Sequence, residues 1–168
     1  MAVAIFQAPM TDTRFDSFCH RLCEALGLPM PERAGEDDAL PALTLTIEGI
    51  EVGLVQASKA DDEHAILLAE FGPLPEQEPL QACLVLLDTN FIMMSRQPPV
   101  FSRHPLNGSI FLHHGFRLAD ADPQAFEAQA REVVGAIQRW RAGEFLPADP
   151  AGARPPAAMV MASAGGPA

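Results

Sequence analysis

Positive charge is what this sequence has least of. Lys59 is its single lysine, and 22 acidic residues against 11 Lys and Arg leave a formal net charge of -11. That balance excludes a nucleic-acid binder, whose phosphate contacts are made by Lys and Arg. Cysteine is scarce as well: three thiols cannot all pair within one chain and are too few for a disulfide scaffold, which fits a reducing cytosol. No long apolar run occurs. The most apolar stretch, Leu80 to Met94, is broken by Asp88 and Asn90 and falls short of the roughly 20 residues that span a bilayer. The opening "MAVAIFQAPMTDTR" has no basic region before its apolar run, so it does not read as a signal peptide. The expectation is a soluble, cytoplasmic protein with no nucleic-acid or membrane partner, in which Asn107-Gly108-Ser109 marks a turn rather than a glycosylation site.

Catalytic signatures are missing too. The sequence holds no phosphate loop, dinucleotide fingerprint or G-x-S-x-G elbow, and its glycines stand singly at element ends. His113 and His114 are neighbours on an expected strand, so their rings leave opposite faces and cannot chelate one ion. His20, His64 and His104 have no partner at a ligand-like spacing. Acidic runs such as Glu36-Asp37-Asp38 read as solvated loop. Nothing here asks for a catalytic residue, a cofactor or a metal, and the chain reads as a non-enzyme.

What is present is a strong pattern. In "FCHRLCEALG" two cysteines and a histidine crowd five positions, but Phe15, Phe18, Cys19, Leu22, Cys23 and Leu26 recur at helical spacing within about 140° of arc. Arg14, Ser17, His20, Arg21 and Glu24 lie outside it. Both cysteines therefore belong to the buried stripe of a helix, capped by Thr11 or Asp12 and ended by Gly27, and act as small hydrophobes. A zinc site would need two further ligands that no second cysteine pair supplies.

The segment "ALTLTIEGIEVGLVQ" then alternates with period two about a Glu48-Gly49 turn. Ile47 faces Ile50, Leu45 faces Val52 and Leu43 faces Leu54, all on one side of a hairpin. After an acidic turn at Asp61-Asp62-Glu63, "HAILLAEFG" is apolar on both faces and reads as a central strand. Glu76 to Phe91 forms a second helix with Pro79 in its first turn. Leu80, Cys83, Leu84, Leu87 and Phe91 make one stripe, while Val85, Leu86, Ile92 and Met93 lie on the other side. Two further strands flank Asn107-Gly108, the first limited to an edge by Pro98, Pro99 and Pro105. Asp122 caps and Pro123 opens a third helix with the stripe Phe126, Ala130, Val133, Ile137 and Trp140.

The expected fold class is α+β, in the order α-β-β-β-α-β-β-α, an antiparallel sheet with helices packed on it. At 168 residues the chain fits one domain, 1–146, followed by a Pro/Ala-rich stretch, 147–168, with no periodic face to order it. A helix apolar on two sides must be covered twice, either by its own domain or by another chain; Val85, Leu86, Ile92 and Met93 have no evident partner within one chain, and where a homodimer forms they are expected at its interface. The face of the sheet opposite the Leu43 to Leu54 stripe is left for a partner, with Thr46, Val55, Leu67, Phe111 and His113 expected on it.

Three stretches, "FDSFCHRLCEALGL", "LTLTIEGIEVGL" and "LQACLVLLDTNF" with the later "LNGSIFLHHGF", together with the element order and low isoelectric point, resemble the class I type III secretion chaperones, the Tir-chaperone family. The likeness runs from about Phe15 to Trp140. It departs at "SRQPPVFSRHP" and at the tail. The resemblance implies a bacterial cytoplasmic homodimer that binds the N-terminal region of an effector protein and keeps it export-competent without ATP. A binding or regulatory module of the same fold outside secretion is the alternative.

Overall fold

The computed structural model describes residues 3–7, 13–30, 40–94 and 98–144; the stretch 147–168 expected as a tail lies outside them. The elements are β1 (Val3–Gln7), α1 (Arg14–Ala25), β2 (Ala42–Ile47), β3 (Ile50–Ser58), β4 (Asp61–Gly72), α2 (Pro79–Ile92), β5 (Val100–Arg103), β6 (Ile110–Arg117) and α3 (Pro123–Arg141), with a short 3-10 turn at Leu118–Asp120. One antiparallel sheet runs β1-β2-β3-β4-β6-β5. The α+β class and the order of the eight expected elements hold, and β1 is an addition.

Local chemistry fixes the helix ends. Thr13, rather than Thr11 or Asp12, caps α1: its Oγ1 accepts from the Asp16 amide at 3.2 Å while Asp16 Oδ2 accepts from the Thr13 amide at 3.3 Å, a reciprocal capping box. Gly27, at φ +65, turns the chain so that the Leu28 amide reaches the Cys23 carbonyl at 2.8 Å. Asp122 Oδ2 accepts from the Ala125 amide at 3.0 Å and Pro123 opens α3. At α2 the residue before Pro79, Glu78, sits at φ 55 and offers no side-chain cap, so that helix starts three residues later than its sequence pattern predicts.

The β2–β3 register is the one the alternation dictates: Ile47 opposite Ile50, Leu45 opposite Val52, Leu43 opposite Leu54. Glu48 and Gly49 both have positive φ (53 and 79), the left-handed pair a two-residue hairpin turn of this hand requires. Gln56 closes the next hairpin, its Nε2 donating to the Ser58 and Asp61 carbonyls at 2.9 and 3.0 Å. The turn falls at Lys59 and Ala60, so Asp61 already belongs to the strand.

α1 and α3 cover one side of this sheet. Their stripes meet the Leu43, Leu45, Ile47, Ile50, Val52 and Leu54 row, with Ala65, Leu67, Ala69, Phe71, Ile110 and Leu112 continuing it across β4 and β6. Phe18 packs between Phe116 and Phe126, at ring-centroid distances of 6.0 and 5.9 Å. Phe71 stands edge-on to both Phe101 and Trp140. Cys19 and Cys23 are buried in this layer, as the helical stripe requires, and burial pushes the Cys23 thiol pKa up.

Candidate binding face of the sheet

The side away from α1 and α3 is set by strand parity. Direct partners in an antiparallel ladder share a face, so Thr44, Gly53, Leu68 and His113 form one row and Val55, Ile66 and Gly115 the next. Val100 and Ser102 of β5 lie opposite His113 and Phe111 on the same side. Val55, Ile66, Leu68, Phe111 and His113 are all half-buried. Gly53 has no side chain between Thr44 and Leu68, and a Cβ built there would approach the Leu68 carbonyl at 3.5 Å. The result is a shallow depression of about 350 Å³, with Thr44, Gly53, Leu68, Glu70 and Phe111 among its walls.

Of the residues expected on this face, Thr46, Val55, Phe111 and His113 are on it. Leu67 is not: it stands opposite Leu54, faces the helices and is fully buried. Ile66 and Leu68 take its place. The error has a physical source, because β4 is apolar on both sides and period two alone cannot choose between them. A signal was nonetheless there. His64 and Glu70 share the parity of Ile66 and Leu68, and a charged residue in an otherwise apolar strand marks the wetter side.

His113 and His114 do leave opposite faces. His113 Nε2 lies 2.6 Å from Ser102 Oγ on the open side, and burial lowers its pKa. His114 pairs with Gln129 of α3 on the helix side. A charged cluster lies at the far end of β4: Asp61 with His64 at 2.9 Å, and Glu63 near Arg14 and Arg117. The bond to His64 is the main cause holding Asp61 below the usual carboxylate range. Among the described residues, no three His, Cys, Asp or Glu side chains gather as a metal site needs, and no helix is long and apolar enough to cross a membrane.

α2 sits at the β5 edge, and Asn90 ties it there. Asn90 Oδ1 accepts from the Phe101 amide at 2.8 Å while its Nδ2 donates to the Phe101 carbonyl at 3.1 Å. This orientation reverses the expected use of the helix faces. Leu86 turns inward with Ala82 and is only 6% exposed, and Val85 beside it is half-buried. The stripe expected to face the core is the exposed one: Leu80 at 73%, Leu84 at 46%, Leu87 at 63% and Phe91 at 73%. Ile92 and Met93 are exposed at the helix end. A helix apolar all round gives no periodic cue to its inner side; the cue is Asn90, whose amide needs a partner on the sheet.

A model of the Tir chaperone protein (CesT) family matches residues 20–141. No curated protein matches the chain. Among solved structures, a chain from the ExoT-SpcS complex of Pseudomonas aeruginosa is 19% identical, with a TM-score of 0.53, over 77% of this chain and 98% of that one. At that identity the likeness establishes the fold, an α+β arrangement shared across nearly the whole neighbouring chain.

Proposed function

The chain belongs to the Tir chaperone protein (CesT) family, and we propose that it is a type III secretion chaperone, a non-enzymatic bacterial protein that binds the N-terminal region of an effector and keeps it soluble and export-competent without ATP. The observation that carries this reading is the open sheet face. Val55, Ile66, Leu68 and Phe111 give it an apolar centre, and Thr44, Thr46, Glu51 and His113 surround that centre with polar groups. Such a face suits an extended segment, which offers side chains to alternate pockets along the strand direction. Its polar members lower the aggregation hazard of an exposed apolar patch.

A homodimer formed through α2 is part of the proposal. Leu80, Leu84, Leu87 and Phe91 make an exposed stripe at helical spacing, and a two-fold interface places the same patch of each subunit against the other. Burial of four such side chains is a large stabilising term, roughly 1.5–3 kcal/mol each when complete. The net charge of -11 keeps a protein with this much apolar surface soluble and favours client segments with basic residues. Cytoplasmic residence follows from the role, and residues 147–168 are taken to be dispensable for folding.

The test is co-expression with an effector from the same genome, candidates being taken first from the neighbouring genes. The effector should co-purify through its N-terminal region in a complex with two copies of the chaperone, and should be recovered insoluble when the chaperone is absent. Recovery of soluble effector without it, and no complex with it, would favour a binding module outside secretion.

A further inference from the structure

The sheet has two edges, and each is covered in a different way. At β5, the Asn90 side chain occupies both backbone groups of Phe101, and a hairpin turn ties β5 to β6, with the His104 amide on the Ser109 carbonyl at 2.8 Å. At β2, the cover is a strand. β1 pairs along its whole length, Val3 opposite Thr46 through Gln7 opposite Ala42, and Ala4 packs against the core.

The covered edge is unusual in what it lacks. Strands exposed at an edge are normally protected by charges, prolines or bulges, yet β2 reads Ala-Leu-Thr-Leu-Thr-Ile with none of these, and its register to β1 is unbroken. Leu43 and Leu45 are fully buried there. An edge with no guard of its own is competent to accept any extended, uncharged strand. β1 is such a strand, Val-Ala-Ile-Phe-Gln. It is also weakly secured. No tight turn joins it to β2, since α1 lies between them in sequence, and β2 is its one neighbour in the sheet.

From this we propose that β1 is an autoinhibitory strand, an internal stand-in that holds the β2 edge and must leave it before an extended apolar segment of a client polypeptide can pair there, the client exchanging for residues Val3–Gln7. The identity of the client as an effector rests on the function proposed above; the exchange itself does not. The edge is never left bare, because one strand leaves only as another pairs. Affinity for a client is therefore set by the difference between its ladder and that of β1, so client segments must compete with a built-in reference sequence.

The experiment uses the full chain and a fluorescent peptide of its own residues 2–8. Ile5 and Thr44 are direct partners, close enough in an antiparallel ladder for a disulfide to lock β1 in place. In the variant Ile5→Cys with Thr44→Cys, the oxidised protein should bind the peptide at least tenfold more weakly than Val3→Pro with Ile5→Pro, which removes two β1 amides that face β2, and reduction should restore uptake. Equal uptake by locked and proline variants, including none by either, overturns the proposal. Hydrogen exchange on the unmodified chain reads the same opening where a variant fails to fold or to cross-link. The β1 amides should exchange at least tenfold faster than those in the centre of β4, and equal protection would overturn the proposal too. No effector is present in any arm, so a negative result leaves the chaperone reading standing, and failed effector co-purification leaves the strand exchange standing.

Discussion

Val55 of β3 stands directly across from Ile66 of β4, on the side of the sheet away from α1 and α3. One position along, Leu54 and Leu67 form the corresponding pair on the buried side. These two adjacent pairs divide the roles of β4 between binding and folding, and they divide the consequences of mutation in the same way.

Ile66→Asp with Leu68→Asp is expected to weaken binding of the effector's N-terminal segment at least tenfold, because it puts two charges in the apolar centre of the open face. The fold should persist, since neither side chain is in the core. Leu67→Ala should do the reverse, costing about 2–5 kcal/mol of stability as a cavity-forming core substitution. Titration with the segment and chemical denaturation, run on both variants, separate the two effects. Wild-type affinity in the double Asp variant would place the client elsewhere.

Leu84→Glu with Leu87→Glu is expected to give a folded monomer, seen as a halved mass in sedimentation, because both side chains are exposed on the isolated chain and would meet their copies across a two-fold axis. Leu86→Ala should lower stability and leave the mass unchanged. An unaltered dimer in the first variant would remove the α2 stripe from the interface.

Asn90→Ala removes two hydrogen bonds to Phe101, each worth about 1 kcal/mol net. The expected loss is about 1–3 kcal/mol by urea denaturation, together with faster amide exchange at Phe101. Retained protection at Phe101 would show that α2 is held at the sheet by other contacts.

Burial lowers the His113 pKa below its ordinary 6.5, so at neutral pH the ring is uncharged. Between the lowered folded value and 6.5 the unfolded chain carries more protons than the folded one. The stability associated with neutral His113 is thus complete above 6.5 and is lost as pH falls through that window to the folded value. Subtracting the pH profile of His113→Gln from that of the wild type should leave this slope, and superimposed profiles would mean that the ring titrates alike in both states.

Cys19 and Cys23 pack in the core, out of reach of a reagent in solvent, and burial raises the Cys23 pKa, which makes that thiol a poor nucleophile as well. In the native protein both should react with a thiol-directed disulfide reagent only as fast as the protein unfolds, while half-buried Cys83 reacts first. Replacing both with Ala should cost stability and leave client affinity unchanged. Rapid modification of Cys19 or Cys23 under native conditions would contradict their placement.

The parts of this fold that were legible in the sequence are those with a single apolar face. α1, α3 and the β2–β3 hairpin each carry one stripe, and period alone fixes what they bury. β4 and α2 are apolar on two sides, and there the alternation is silent. For β4 the deciding information is the polar parity of His64 and Glu70; for α2 it is a pair of bonds from Asn90 to a strand that comes later in the chain. β1 escaped notice because five residues without a hairpin partner make no local pattern, and its pairing to β2 is visible only once the sheet is assembled. Thr46 and Val55 lie on the open face because their parity is tied to the hairpin, whereas Leu67, Phe111 and His113 depend on strand registers that the alternation leaves open, and of these three Leu67 falls on the other side.

Trp140 is the sequence's only tryptophan, and there is no tyrosine. Its indole is 4% exposed, donates to the Pro73 carbonyl at 3.1 Å and stands edge-on to Phe71, which in turn meets Phe101. Ultraviolet emission from this protein therefore comes from one place, at the junction of α3, the end of β4 and the strand that α2 grips. Without any added label, its intensity and colour provide an optical gauge of whether that corner is dry.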